Sequence, residues 1–251
     1  MKIAVCTPRC GPPSWHYHDS MVVWQIYHYG KHPDIGTIHM HPSRELPIDV
    51  ARTLLVEQFL KTSADYMWLL DQDAKWLPET LDRLLSRDLP IVGALEMMRL
   101  PQCPYPMALA EQNATGAFRV QAAEIYRFIG QYHDYTSNEP AILDPPPEGS
   151  LLMTGFTGCH CLLIRRDVLE QMESPWFKGY APGGEDQYFC AKAAALGIPT
   201  HVDLSVLVGH ATTDRVVGAF DFMAGYHFLD ALDESKVQGD GELVEWHDED
   251  A

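Results

Sequence analysis

The sequence predicts a single α/β domain in which helices flank a mostly parallel sheet. Strand-like and helix-like segments alternate from residue 3 to residue 95, and such crossovers are what parallel strands require. The run from Tyr66 to Leu70 is continuously apolar, as expected of a strand buried on both faces. With 251 residues, 46% of them apolar, the chain is long enough for one substantial core.

The first elements each carry a recognisable boundary. Residues 3–7 form a β-rich run that Pro8 ends, so a loop follows the carboxyl end of a buried strand. Residues 17–29 are predicted as a helix capped by Gly30, and residues 35–40 as a second strand. Residues 49–61 place apolar side chains at helical spacing behind an acidic first turn, which predicts an amphipathic helix.

The next elements complete the alternation. Residues 66–70 are predicted as a central strand, residues 77–85 as a helix with Pro78 near its start, and residues 90–95 as another strand. Residues 101–150 break the pattern and indicate a variable insertion or a substrate-facing flap. Within it, Asn113-Ala114-Thr115-Gly116 is typical of a hairpin turn, which predicts strands at residues 107–111 and 117–122.

The regular pattern returns after the insertion. Residues 157–164 are predicted as a strand, residues 166–172 and 185–196 as helices, and residues 199–202 as the start of another strand. Gly197 should close the second of these helices. We expect one domain over residues 1–226 and an acidic tail over residues 227–251, because nine acids and one lysine fall between Asp230 and Ala251.

Charge and composition narrow the classes of partner. The formal net charge is −17, which disfavours general binding to nucleic acids or anionic lipid surfaces. No apolar stretch reaches the roughly 20 residues of a membrane span, and residues 1–6 read as a strand instead of a signal peptide. The sequence therefore predicts a protein of the cytoplasm.

The cysteines are expected to be reduced. Six cysteines fall at irregular places in a chain too long to need a disulfide scaffold. Cys159-His160-Cys161 could suggest zinc, but strand alternation would turn Cys159 and Cys161 to one face and His160 to the other. We interpret the two thiols as core or pocket-lining groups.

The sharpest chemical signal is Asp71-Gln72-Asp73 at the end of the buried strand. Two acids at positions i and i+2 can place both carboxylates near one point, where a divalent cation is shared with phosphate oxygens. The alternative is a solvated turn, because such pairs occur by chance in acidic proteins.

Two further signals follow along the chain. Gly183-Gly184-Glu185-Asp186 leads into a helix behind an aromatic segment that contains Trp176, although acids also favour a first helical turn for the helix dipole alone. His210 follows a strand-like run. A lone histidine is more often structural, so we interpret His210 as a metal ligand only if it reaches the same ion as Asp73.

In this order the motifs resemble the GT-A glycosyltransferases that use nucleotide sugars, most closely small bacterial and phage enzymes related to family 2. The resemblance covers residues 2–210. It rests on the opening strand, the helix that contains Arg52, Leu70-Asp71-Gln72-Asp73, Pro90-Ile91-Val92-Gly93-Ala94, the strand from Gly158 to Arg166, Pro175-Trp176-Phe177, Gly184-Glu185-Asp186 and Gly209-His210.

The resemblance implies a role for each motif. It implies a GT-A fold, a Rossmann-like mixed sheet, with Mn²⁺ or Mg²⁺ held by Asp71, Asp73 and His210. Donor contacts would come from Pro8, Arg9, Arg52, Asp71 and Asp73, and acceptor contacts from Trp176 and Gly184. Asp186 would be the general base, with Glu185 as its competitor for that role. Arg44 and Arg52 are the candidates for phosphate or base contacts because arginine offers a planar fork of donors, whereas Thr53 departs from the family's usual Asn.

The expected activity is transfer of a sugar from a UDP- or GDP-type donor to an acceptor hydroxyl, with inversion if Asp186 is the base. Modified phage DNA stays among the candidate acceptors. The alternatives are a non-catalytic nucleotide-sugar binding module and a nucleotidyltransferase. The latter calls for a Gly-rich basic loop, and Pro8-Arg9-Cys10-Gly11 is sparse for that.

Overall fold

A central β-sheet with helices on both faces organises the chain. The computed structural model describes residues 1–97, 108–109, 115–179, 184–212, 215–221 and 223. The helices are α1 (Trp15–Lys31), α2 (Ile48–Leu60), α3 (Thr80–Ser86), α4 (Thr115–Tyr132), α5 (Arg166–Gln171) and α6 (Glu185–Ala195). The strands are β1 (Lys2–Cys6), β2 (Gly36–Met40), β3 (Tyr66–Leu70), β4 (Ala74–Lys75), β5 (Ile91–Leu95), β6 (Ala108–Leu109), β7 (Ala141–Ile142), β8 (Leu151–Thr154), β9 (Phe156–Thr157), β10 (Cys161–Arg165), β11 (Thr200–Leu207), β12 (Gly209–Ala211) and β13 (Val216–Val217).

The sheet is mixed but mostly parallel, as the sequence predicted. Within the described residues its strand order is β2-β1-β3-β10-β5-β11-β7, with β8 also paired to β11. Strands β2, β1, β3, β5 and β11 run in one direction, and β10 lies antiparallel between β3 and β5. The carboxyl ends of the parallel strands therefore meet at one edge of the sheet. A smaller sheet of order β13-β12-β4 lies at that edge.

Alternation along the strands separates two buried layers. Ala4 and Cys6 of β1 pack in a cluster with α2, α5 and α6, whereas Ile3 and Val5 pack with α1 and α3. A third cluster joins α4 to β11. Residues at i and i+2 face the same side of a strand, so the sheet buries both of its faces under helices within a single domain.

The insertion differs from the predicted hairpin. Residues 117–122 lie within α4, and β6 pairs with β9 instead of with a neighbouring hairpin strand. The predicted turn lies partly outside the described residues, and Thr115 and Gly116 begin α4. The hairpin prediction was therefore wrong, because apolar residues recur at helical spacing through Ile125, Phe128 and Ile129, which are buried.

Two local predictions were also wrong. Gly30 does not cap α1, because the helix continues to Lys31 and His32 forms its carboxyl-terminal cap. The strand predicted over residues 157–164 is divided, since β9 ends at Thr157 and β10 begins at Cys161. Cys159 and Cys161 consequently lie in different clusters on opposite sides of the sheet, although both are buried core thiols as expected.

The described cysteines Cys6, Cys10, Cys159, Cys161 and Cys190 are free thiols. Across the part of the chain that the structure describes, we find no helix with the length and apolarity needed to cross a membrane.

Candidate active site

A cavity of about 330 Å³ lies at the edge of the sheet where the parallel strands end. This is the edge at which open α/β sheets bind ligands. Its lining brings together residues that are far apart in sequence: Pro8, Cys10, Ile48, Arg52, Asp71, Gln72, Asp73, Glu96, Cys159, His160, Glu185, Asp186 and His210.

The Asp71-Gln72-Asp73 motif begins as β3 ends. The backbone N–H of Asp71 donates to the carbonyl of His160 at 3.0 Å, which continues the pairing of β3 with β10 by one residue. The side chain of Gln72 holds the loop after β1, because its Oε1 accepts from the N–H of Cys10 at 3.0 Å and its amide donates to the carbonyl of Gly11. The middle residue of the motif thus anchors one wall of the cavity.

Arg52 joins two acids across the cavity. Its buried guanidinium donates to both carboxylate oxygens of Asp71 at 2.9 and 2.8 Å and also pairs with Glu185. Burial opposes the ionisation of Asp71, but Arg52 and His160 outweigh it and hold the pKa of Asp71 well below its ordinary value. The Asp71 side chain is therefore an ionised carboxylate, and each of its oxygens accepts a hydrogen bond from Arg52.

Asp73, His160 and His210 form a group of the type that holds a metal ion. One ligand atom from each lies within 4.8 Å of the others. The rings of His160 and His210 contact each other with centroids 4.2 Å apart, and Asp73 faces both, with Oδ1 at 3.5 Å from Nδ1 of His160 and Oδ2 at 3.4 Å from Nε2 of His210. Burial raises the pKa of Asp73, but the opposite effects of its hydrogen bond with His210 and of the charge of His160 are together larger. The pKa of Asp73 is therefore below its ordinary value.

Backbone carbonyls fix the outer nitrogen of each ring. Nε2 of His160 lies 3.2 Å from the carbonyl oxygen of Gly209, and Nδ1 of His210 lies 3.1 Å from that of Met97. Because a carbonyl only accepts, each of these nitrogens carries a proton, and when either ring is neutral its other nitrogen presents a lone pair toward Asp73. Such backbone partners are typical of metal-ligating histidines.

Gly209 and His210 lie in the small sheet next to Asp73. His210 pairs with Ala74 and Val217 in the small sheet, and the N–H of Ala211 donates to the carbonyl of Asp73 at 2.7 Å. A Cβ at position 209 would lie 2.4 Å from Cγ1 of Val216, closer than packed atoms can come. Any larger residue at position 209 would require Val216 or the backbone to shift.

Glu96 is buried at the cavity next to His160. It follows β5 directly, is 3% exposed, and its Oε2 lies 4.0 Å from Nδ1 of His160. Burial raises the pKa of Glu96 to about 8. Burial lowers the pKa of His160, but Glu96, Asp71 and Asp73 outweigh it and raise that pKa to about 9. The surrounding carboxylates thus favour positive charge at this point.

Helix α6 begins at the opposite wall with two acids. Glu185 pairs with Arg52, whereas Oδ1 of Asp186 accepts from the N–H of Gln187 at 3.0 Å. A Cβ at Gly184 would lie 2.8 Å from that oxygen, so glycine leaves room for the carboxylate over the helix start. Burial raises the pKa of Asp186 to about 6, against the opposing effect of Arg52.

Five predicted residues do not line this cavity, and one of them is Gly184, which directly precedes α6. Trp176 is 7% exposed and its indole N–H donates to the carbonyl of Leu169 at 3.0 Å, which places it in the core. Thr53 fastens the neighbouring loop, since its hydroxyl donates to the carbonyl of Phe177 at 3.0 Å. Arg9 is exposed, and Arg44 lines a separate cavity of about 490 Å³ on the outer side of α2.

Two titratable residues of the site, His160 and Glu96, were not predicted from the sequence. His160 was assigned to a strand and considered only with its neighbouring cysteines, whereas it precedes β10 and faces Asp73. Glu96 follows a buried strand in the same way as Asp71 does, so the rule that identified Asp71 could have found it. No comparable signal marked His160, because its partners lie on other segments of the chain.

Comparison with known proteins shows likeness in structure only. No family model matches the sequence, and no curated protein does. The structure of A197 from STIV is similar at a TM-score of 0.54 and 15% identity, over 88% of this chain and 92% of that one. GalNAc-T7 with UDP, GalNAc and Mn²⁺ follows at a TM-score of 0.48 and 11% identity, over 84% of this chain and 44% of that one.

A third similar structure is a glycosyltransferase involved in glycosylation of the major capsid of PBCV-1, at a TM-score of 0.39 and 10% identity, over 80% of each chain. At 15% identity the likeness to A197 shows a shared fold and nothing finer. That architecture, a mostly parallel mixed sheet flanked by helices, is consistent with the GT-A-like fold that the sequence resembles.

Proposed function

We propose that this protein is a metal-dependent glycosyltransferase that moves a sugar from a nucleoside-diphosphate donor to an acceptor hydroxyl. The observation that carries the proposal is the charge of the cavity at the sheet edge. Five acidic side chains line it, namely Asp71, Asp73, Glu96, Glu185 and Asp186, and the cations of that lining are Arg52 and protonated His160. Even with Glu96 protonated, the acids outnumber these cations. A diphosphate would be repelled there without a divalent cation, so this charge supports a metal-assisted reaction.

Asp73 and His210 fit the ion that the resemblance implies. Their facing atoms lie 3.4 Å apart, and the backbone carbonyl at Nδ1 leaves Nε2 of His210 able to bind. Mn²⁺ or Mg²⁺ held there would neutralise the charge that develops on the leaving diphosphate. Asp71, fixed by Arg52, would lie beside it and accept hydrogen bonds from the ribose of a UDP- or GDP-type donor.

Asp186 would act as the general base. It would take the proton of the acceptor hydroxyl as the acceptor oxygen forms its bond to C1 of the sugar. The bond from C1 to the phosphate oxygen breaks at the same time, and its electron pair leaves with the diphosphate. Attack from the face opposite the leaving group inverts the configuration at C1. A base with a pKa of about 6 is suited to this role near neutral pH.

A donor screen tests the proposal. UDP- and GDP-sugars are incubated with the protein and Mn²⁺, Mg²⁺ or EDTA, and release of the nucleoside diphosphate is measured with and without simple sugar acceptors. We expect release with at least one donor, dependent on the metal and lost in Asp73→Ala. Calorimetry should show tighter nucleoside-diphosphate binding with Mn²⁺ than without it.

Other outcomes would identify the alternatives. Donor binding without turnover, in the presence of acceptors and either metal, would indicate a binding module. Release of pyrophosphate from nucleoside triphosphates would indicate a nucleotidyltransferase. Equal nucleotide affinity with and without Mn²⁺ would remove the metal from the proposal.

A further inference from the structure

Nδ1 of His160 is a buried ring nitrogen without a hydrogen-bond partner among the described residues. The side chain is 2% exposed, and its other nitrogen is committed to the carbonyl of Gly209. A buried polar atom is normally satisfied, so this nitrogen requires an explanation. It faces Asp73, Asp71 and Glu96 at 3.5, 3.7 and 4.0 Å.

These separations are too long for hydrogen bonds and suit ligands that share an ion. Two donor atoms that each lie about 2.1 Å from one metal ion are roughly 3.0–3.5 Å apart. Oδ1 of Asp73 lies 3.5 Å from Nδ1 of His160, and Oδ2 lies 3.4 Å from Nε2 of His210. One ligand atom from each of the three residues lies within 4.8 Å of the others, so small side-chain movements would bring all three to a single ion.

We propose that His160 is a third protein ligand of the metal ion, beside Asp73 and His210, and that this set selects Mn²⁺ over Mg²⁺. The inference rests on the metal dependence in the proposed function and adds to it a ligand and a choice of ion. Mg²⁺ favours oxygen ligands and retains its waters, whereas imidazole favours transition-metal ions. Two imidazoles and one carboxylate therefore disfavour Mg²⁺.

The neighbouring acids support a cation at this point. The unpartnered oxygen of Glu96, which is also buried, and the carboxylate of Asp71 lie on the same side of His160 as Asp73. The competing explanation is that His160 is an imidazolium paired with these acids and never binds metal. In that case the metal would have one nitrogen ligand instead of two.

Pulsed electron paramagnetic resonance of the protein with Mn²⁺ alone distinguishes a metal-ligating His160 from an imidazolium that is paired with the acids. We expect couplings from two ¹⁴N nuclei in the wild type and from one in His160→Gln, with Mn²⁺ affinity lower by at least tenfold in the variant. His133→Gln is the matched control, because His133 is also buried, has Nε2 at 2.7 Å from a backbone carbonyl and an unpartnered Nδ1, yet does not line the cavity. It should leave the Mn²⁺ signal and affinity unchanged.

Competition with Mg²⁺ measures the selectivity in the wild type. We expect that Mg²⁺ at a tenfold excess over Mn²⁺ displaces less than half of the bound Mn²⁺. A single nitrogen coupling in the wild type, unaltered affinity in His160→Gln, or ready displacement by Mg²⁺ would overturn the inference. The nitrogen count and the competition need no variant, so they decide the question even if His160→Gln does not fold.

The result is separable from the proposed function. Mn²⁺ binding is measured without nucleotide, and turnover in the donor screen is measured with either metal. If Mg²⁺ and Mn²⁺ support equal turnover and the Mn²⁺ spectrum shows one nitrogen ligand, the glycosyltransferase proposal stands and His160 is not a metal ligand. Two nitrogen ligands without any turnover would leave the metal centre intact and remove the activity. Failure of the wild type to bind Mn²⁺ alone would overturn the inference about His160.

Discussion

Glu185 and Asp186 at the start of α6 differ because only Glu185 forms an ion pair with Arg52. The guanidinium pairs with Glu185 and with both oxygens of Asp71, whereas Asp186 interacts with the start of its own helix. Because Oε1 of Glu185 is engaged by the guanidinium, it is not free to accept a proton from an acceptor hydroxyl. Burial raises the pKa of Asp186, so of the two acids Asp186 is the one suited to accept a proton.

Asp186→Asn should reduce turnover with little effect on the donor. The change preserves the shape and removes the basic oxygen, so we expect kcat to fall by at least about 10² with the affinity for nucleoside diphosphate nearly unchanged. Steady-state kinetics and calorimetry check the two parts. Glu185→Gln is the comparison. An active Asp186→Asn beside an inactive Glu185→Gln would exchange the roles, and two active variants would place the base elsewhere or indicate a retaining reaction.

The raised pKa of Asp186 also predicts a pH dependence. The base must be ionised, so turnover at saturating metal should rise between pH 5 and 7 with a midpoint near the pKa of about 6 and then level off. A profile that is flat across this range would contradict the assignment.

The same group makes the fold less stable as the pH rises. Its pKa is higher in the folded chain than the ordinary value of 3.8, so the folded state binds the proton more tightly and stability falls between about pH 4 and 6. Asp186→Asn should therefore be more stable than the wild type above pH 6, by about 1 kcal/mol for a half-buried group, and equal to it below pH 4. Denaturant unfolding at several pH values measures the difference.

Residue-level prediction from sequence succeeded where chain position alone decides the environment. Asp71 and Asp73 follow a buried strand, and that is sufficient to place them at the sheet edge. His160 depends on the antiparallel register of β10 against β3, which no local pattern encodes. Trp176 was expected at the acceptor side, but its indole packs into the core, because a large aromatic ring gains most by burial.

At the level of elements, the small sheet β13-β12-β4 determines where His210 lies. β12 pairs with β4 directly after the Asp71-Gln72-Asp73 motif, and the close contact between Gly209 and Val216 sets its distance from β13. His210 is therefore positioned by strand pairing, whereas Asp73 and His160 lie in turns directly before β4 and β10. A side chain on a paired strand is positioned more rigidly than one on a loop.

Gly209→Ala should disturb this pairing and the site together. The added methyl group meets the stiff side chain of Val216 at 2.4 Å, so we expect a loss of stability of about 1–3 kcal/mol and weaker Mn²⁺ binding. The double change Gly209→Ala with Val216→Ala should restore part of both. Gly30→Ala is the control, since open space surrounds that helical position and alanine favours helix. Thermal unfolding and Mn²⁺ titration of the three variants test this, and Mn²⁺ affinity unchanged by Gly209→Ala would contradict it.

Helix and strand prediction failed where a turn signal competed with a longer pattern. Asn113-Ala114-Thr115-Gly116 is a typical hairpin turn, yet the apolar residues that follow, from Phe118 through Ala122, Ile125 and Ile129 to Tyr132, are spaced by three or four. Ile125, Phe128 and Ile129 of this helix are buried in the cluster with β11, and this packing outweighs one local turn preference. Helices α1, α2, α3, α5 and α6 and strands β1, β2, β3, β5 and β11 were predicted, because their apolar patterns and boundary residues agree. Strands β7 and β8 were not predicted, since the stretch around them lacks a regular pattern.

At the scale of the whole molecule, negative charge is concentrated in two places, the cavity and the end of the sequence. The cavity brings five acids onto a framework that many buried contacts hold in place. Asp230 to Ala251 carries nine acids and one lysine, which is about half of the net charge of −17. The carboxylates of the cavity are held in fixed positions where they can bind a cationic ligand. The acids of residues 230–251 contribute instead to the net charge, and so to the electrostatic self-repulsion of the molecule.

Removal of residues 227–251 should leave the domain folded. The three buried clusters of the described chain are built from residues between Ile3 and Met223, and a segment with nine acids and few large apolar groups can bury little area. We expect one cooperative thermal transition with Tm within about 3 °C of the full chain. The shortened chain should also respond less to added salt, because it carries less self-repulsion for salt to screen. Loss of the cooperative transition would show instead that Leu243, Val244 and Trp246 pack on the core, and the domain boundary at residue 226 would then be wrong.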